Sequence, residues 1–137
     1  MATYKEAFIE FLQKENLKYQ DIDERALRIS WDAENVASGL DILVIFDRDN
    51  HNGVHFMCGG FCKAPENKLT AMLMACNAAN KQYRWIKFYI SDNQDIMAED
   101  DAILDMANVG EECIELVARM VRVVDEAYPS FMRAIYA

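Results

Sequence analysis

The chain has 137 residues, a formal charge of −9, and 53% hydrophobic and 27% charged residues. A chain of this length reads as a single domain, residues 1–137, that buries roughly two thirds of its unfolded surface and needs neither metal nor disulfide to hold a core. Its acidity repels nucleic-acid phosphates and anionic lipid, so neither is expected as a partner, and 5 Gly and 2 Pro are too few for a disordered chain.

Thr3 to Asn16 reads as the first helix. Thr3 and Glu6 stand at capping-box spacing, and Tyr4, Phe8, Phe11 and Leu12 recur on one helical stripe. Lys and Glu interrupt the apolar positions of MATYKEAFIEFLQKE, so no leader peptide is expected there. Leu17 to Asp23 is short and polar, either a connection or a short edge strand. In Ala26 to Trp31, Leu27, Ile29 and Trp31 alternate with Arg28 and Ser30, the signature of a half-buried strand.

Leu40 to Phe61 organises the rest. Leu40, Ile42, Val44 and Phe46 alternate with Leu43 and Ile45, and Val54, Phe56 and Cys58 alternate with His55 and Met57. Asp49-Asn50-His51-Asn52-Gly53 supplies turn residues between the two strands. The first of them is apolar on both faces and belongs in the middle of a sheet. Gly59 and Gly60 end or bulge the second.

Pro65 opens a second helix with the stripe Leu69, Met72, Leu73, Cys76 and Ala79. Arg84 to Ser91 is predicted as a strand, with Ile86, Phe88 and Ile90 on one side and Trp85, Lys87 and Tyr89 on the other. After the turn Asp92-Asn93-Gln94-Asp95, Ile96 to Leu104 starts like a strand, and Glu99-Asp100-Asp101 is expected to loop out into solvent. The last helix starts at the capping pair Asn108 and Glu111 and runs to about Tyr128. Its stripe is Val109, Cys113, Leu116, Val117, Met120, Val121 and Val124. Acidic residues precede basic ones along it, as the helix dipole favours. Pro129 is expected to break or kink it, and Phe131, Met132 and Ile135 predict one more packed turn.

The order is helix, three strands, helix, two strands, helix. This predicts an α+β fold: a mostly antiparallel sheet of about five strands with helices packed on one face. Leu27, Ile29, Trp31, Ile86, Phe88 and Ile90 are expected to line that face.

No chemical motif survives inspection. His51, His55, Cys58 and Cys62 have zinc-like residue types, but on a strand His55 and Cys58 point to opposite faces, while zinc needs four converging ligands. Asp47-Arg48-Asp49 opens like a calcium loop, yet Asn52 and Cys58 stand where Gly and Glu are required. Cys76 and Cys113 sit on apolar helix stripes as small hydrophobes. Asp92, Asp95, Glu99, Asp100, Asp101 and Asp105 read as a solvated acidic segment. The expectation is therefore no catalytic residue, no metal and no cofactor. Four free thiols fit a reducing cytosol.

The second face of the sheet carries the functional expectation. Leu43, Ile45, Met57, Trp85 and Tyr89 are predicted to share it with His55, Lys87, Arg28 and Ser30. Either a partner covers this face or the chain's last helix does. A protein-binding regulator or chaperone-like adaptor would use those five residues against a protein client, possibly basic, or against a second copy of itself. A small-molecule sensor or an enzyme would need a pocket near His55, Trp85 and Tyr89.

The element order resembles the type III secretion chaperone-like fold. More closely, the opening amphipathic helix, the Trp31–Phe61 strand run, Arg84-Trp85-Ile86-Lys87-Phe88-Tyr89 and Val123-Val124-Asp125-Glu126-Ala127-Tyr128-Pro129 resemble the YbjN family of bacterial sensory transduction regulators. That resemblance implies a bacterial, cytoplasmic protein that is not an enzyme. The secretion chaperones of this fold are small acidic dimers that bind an extended client segment. The resemblance supplies no catalytic residues.

Overall fold

Thr3 caps the first helix from both sides: its hydroxyl accepts the Glu6 N–H at 3.1 Å, and the Glu6 carboxylate accepts the Thr3 N–H at 2.9 Å. The computed structural model describes residues 2–137. Helix α1 covers Tyr4–Lys14. The strands are β1 (Gln20–Asp21), β2 (Ala26–Trp31), β3 (Leu40–Phe46), β4 (Gly53–Cys58), β5 (Lys87–Ile90) and β6 (Ile96–Ile103). Helix α2 (Leu69–Gln82) lies between β4 and β5, and α3 (Val109–Tyr136) ends the chain.

The fold is α+β, with a single antiparallel sheet in the order β1-β2-β3-β4-β6-β5. The polar stretch after α1 supplies the sixth strand, a two-residue edge paired with Leu27 and Arg28. As alternation requires, β3 lies inside the sheet, between β2 and β4. The hairpin turn between β3 and β4 puts Asp49 and Asn50 at φ +57° and +52°, values that Asn and Asp tolerate better than other side chains.

One face of the sheet packs against the helices. Leu27, Ile29, Ile42, Val44, Phe56, Cys58, Phe88, Ile96 and Ala98 are buried on it, and Trp31 and Ile90 are half-buried at its margins. Helix α3 contributes Val109, Cys113, Val117, Met120, Val121, Val124 and Phe131. The Phe131 ring sits 5.4 Å from that of Phe88. Helix α1 crosses α3 so closely that a Cβ on Gly110 would come within 2.2 Å of the Phe11 side chain. On α2 the buried line is Met72, Cys76 and Ala79. Leu73 lies one residue round the helix and is exposed, unlike the expected stripe.

Three expectations are corrected. Glu99, Asp100 and Asp101 do not loop out; they are inner residues of β6, paired with Met57, Phe56 and His55 of β4. Nor are all the acids solvated, because Asp100 faces the helices and is buried. Helix α3 also continues past Tyr128 with Pro129 inside it. Proline has no N–H for the Asp125 carbonyl one turn back, and Asn35 replaces it, its Nδ2 donating to that carbonyl at 3.0 Å. The Asp125 carboxylate accepts the N–H groups of Glu34, Asn35 and Val36 at 3.1, 2.7 and 3.3 Å. The β2–β3 loop is thus docked on the helix at the position where the helix lacks a bond.

Candidate functional site

The other face of the sheet has no helix over it among the described residues. Strand register lays out its side chains in rows. Arg28, Leu43, Met57, Glu99 and Lys87 form one row across β2, β3, β4, β6 and β5. Ile45, His55 and Asp101 form the next. On the other side, Tyr89 stands opposite Met97. Leu43, Ile45, Met57 and Met97 are half-buried, while Asp41, Lys87, Tyr89 and Asp101 are exposed. The centre is apolar and its surround is charged.

His55 sits between two carboxylates of β6. Nδ1 lies 2.6 Å from Asp101 Oδ1, and Nε2 lies 2.6 Å from Glu99 Oε1. Both nitrogens can donate only in the imidazolium. Partial burial pushes the His55 pKa down, but hydrogen bonds and charge from Asp101 and Glu99 outweigh it and raise the pKa above its ordinary value. The nearby Glu99 carboxylate, together with desolvation, pushes the Tyr89 hydroxyl up to about 12. His55, Glu99 and Asp101 therefore form one polar network beside the Leu43–Met57 pair.

Leu43, Ile45, Met57 and Tyr89 share this face as alternation predicts. Trp85 does not. It precedes β5 at φ +68°, and the Ile86 N–H bonds the Arg84 carbonyl at 2.7 Å across it. That three-residue turn ends the strand alternation. The indole projects toward α3, where the Arg119 guanidinium lies 4.8 Å from the ring centroid. A positive φ at a bulky residue has no sequence signal, which is why alternation misplaces it. His55 and Tyr89 share the open face, but Trp85 does not close a pocket with them.

The thiols lie on the covered side. Burial pushes Cys58 and Cys113 up to about 12 and Cys62 and Cys76 up to about 11, so none is a ready nucleophile. Cys58 faces the helices, away from His55, and His51 lies in the β3–β4 turn. Sequence reading missed Asp100. Its carboxyl is pushed up to about 6, chiefly by burial, against a hydrogen bond from the Asp101 backbone that lowers it. An acid among three acids gives no sign of which one points inward. Among the described residues no helix is long and apolar enough to cross a membrane.

Fold and face together define an α+β protein whose antiparallel sheet is helix-covered on one side and open on the other. The chain belongs to the YbjN family: the family model, described as "Putative bacterial sensory transduction regulator", matches residues 5–133. The family description is that of a regulator. The structure is similar to the crystal structure of YbjN from E. coli, described as "a putative transcription regulator", with a TM-score of 0.65 at 11% identity over 93% of this chain and 89% of that one. At that identity the likeness is one of fold. No protein with a curated description matches the chain in sequence.

Proposed function

We propose that this chain is a non-enzymatic, cytoplasmic regulator or chaperone-like adaptor that binds a protein through the open sheet face. One observation carries this reading: Leu43 and Met57 pair at the centre of that face, flanked by Ile45 and Tyr89, with no helix over them. Apolar and aromatic side chains inside a polar rim are the anatomy of a binding surface. Glu99, Asp101 and Asp41 at the border, on a chain of net charge −9, favour a basic client. A second copy of the chain is the competing occupant.

Met57→Asp tests the reading. It puts a charge at the centre of the face without touching the helix-covered core. Wild type, Met57→Asp and Leu73→Asp, the last on the outer side of α2, are used to capture partners from native cytosol, with urea unfolding to confirm the fold of each. The expected result is a basic protein held by wild type and Leu73→Asp and lost by Met57→Asp. Retention by all three overturns the assignment. A dimer by sedimentation that Met57→Asp dissociates makes the second copy the occupant.

A further inference from the structure

A strand at the border of a sheet has backbone groups that no neighbour takes, and folds must cover, pair or charge them. This chain covers one border with a side chain. Asn80 of α2 donates to the Phe88 carbonyl at 3.0 Å and accepts the Phe88 N–H at 2.7 Å, closing the outer edge of β5 at Phe88. At the opposite border, β1 pairs with Leu27 and Arg28 of β2.

The second half of β6, like the end of β2 past Arg28, runs beyond its edge neighbour. β5 pairs only with Ile96 to Glu99, while β6 continues to Ile103. The Leu104 N–H bonds the Asn52 carbonyl at 2.7 Å on the β4 side. In an antiparallel ladder alternate residues bond to the same neighbour. Asp100 and Ala102 therefore bond toward β4, and Asp101 and Ile103 turn their backbone groups the other way, where β5 has already ended. Among the described residues, no turn or loop group meets the Asp101 carbonyl or the N–H and carbonyl of Ile103. The three-residue turn at Trp85 is what pulls the chain off this line.

Large apolar side chains flank the gap. Ile103 is 79% exposed and Trp85 is 59% exposed, and Trp85 keeps that position at a backbone angle costly for a bulky residue. Acids set the charge: Glu99 and Asp101 lie on the open-face side, with Asp105 just beyond, and His55, in contact with both Glu99 and Asp101, brings at most one positive charge against the three.

We propose that the Asp101–Ile103 edge accepts an extended segment of a partner protein, added antiparallel to β6 in the line of β5. From its N-terminal end the segment carries one apolar residue opposite Ile103, a second opposite Ala102 and a basic residue opposite Asp101. Backbone hydrogen bonds give such an addition its affinity and alternate side chains its specificity. The basic residue follows from the cross-strand rule that opposite charges stabilise and like charges oppose. A second copy fits poorly, because pairing two of these edges sets acid beside acid between two chains of net charge −9.

The probe is the blocked tetrapeptide Thr-Ile-Phe-Arg, which stops short of Lys87 opposite Glu99, beside the same peptide N-methylated at Ile and Arg and a third with Glu in place of Arg. Protein amide exchange is read by NMR at millimolar peptide. The parent peptide is expected to slow exchange of the Ile103 amide by about tenfold or more. The N-methylated and Glu peptides are expected to have no effect, since one lacks the donors and the other repels. Equal binding of the N-methylated peptide overturns strand addition, as does an Ile103 amide unchanged by the parent peptide. Self-association that protects Ile103 without peptide assigns the edge to a second copy and also overturns it. The open-face reading is decided separately by Met57→Asp, so the two can fail independently.

Discussion

Asn80 and Phe88 are joined by two hydrogen bonds, the side-chain amide of one meeting both backbone groups of the other at 3.0 and 2.7 Å. A carboxamide presents the same donor and acceptor as a peptide unit, so α2 acts here as a one-residue strand. Asn80→Ala is expected to cost about 1–2 kcal/mol and to speed hydrogen exchange at the Phe88 amide. Urea unfolding and amide exchange measure the two effects. Asn80→Asp, which keeps an acceptor for the Phe88 N–H but loses the donor, should fall between wild type and Ala.

His55 ties stability to pH. Its folded pKa lies above the ordinary value of 6.5 because Asp101 and Glu99 favour the cation more than burial opposes it. Folding therefore takes up a proton. The stabilisation is fully present below the ordinary histidine range and is lost as pH rises through the folded pKa. Wild type should exceed His55→Gln in stability in mild acid, with the gap shrinking toward alkaline pH. Urea midpoints across that range check the sign, and an NMR titration of the His55 ring gives the folded pKa directly.

Asp100 has the same sign of pH dependence for a different reason: its charged form is penalised, where that of His55 is favoured. Burial pushes its carboxyl from 3.8 up to about 6, so the folded chain holds a proton that the unfolded chain releases. Stability on this account is greatest below 3.8 and falls as pH rises to about 6. Asp100→Asn removes the cost of the buried charge and should stabilise the protein at neutral pH by about 1 kcal/mol, discounted for partial access to solvent. The difference should vanish in acid. Thermal unfolding of the two proteins across the acid range tests it.

Asp125 fixes the β2–β3 loop by accepting three N–H groups. Asp125→Ala is expected to cost about 1–3 kcal/mol. The loss should be local first, as faster exchange at the Asn35 and Val36 amides before the sheet responds.

Where side chains alternate and both faces have one character, the sequence states the strand plainly: Ala26–Trp31 and Leu40–Phe46 have the boundaries that alternation predicts. Alternation also places Leu43, Ile45, Met57 and Tyr89 on one face. It fails at β6, whose acidic run looks like a loop. That segment is a strand because its neighbours supply partners: His55 meets the two outward acids, and the cost of burying Asp100 is absorbed by the fold. Trp85 escapes for a different reason. Periodicity assumes negative φ at every residue, and the turn at φ +68° breaks that assumption where no glycine marks it.

The docking of Asn35 on Asp125 also constrains the order in which the chain can assemble. The two residues are 90 positions apart, and the helix lacks a bond at Asp125 until Asn35 arrives. During synthesis the first three hairpin strands emerge long before α3 exists, so their covered face must wait with its apolar residues unprotected. Contacts this distant in sequence form late because the intervening loop must close first. The last turns of α3 should therefore be among the final parts to consolidate, and a nascent chain stopped short of Asp125 should be held by general chaperones until the ribosome delivers the helix.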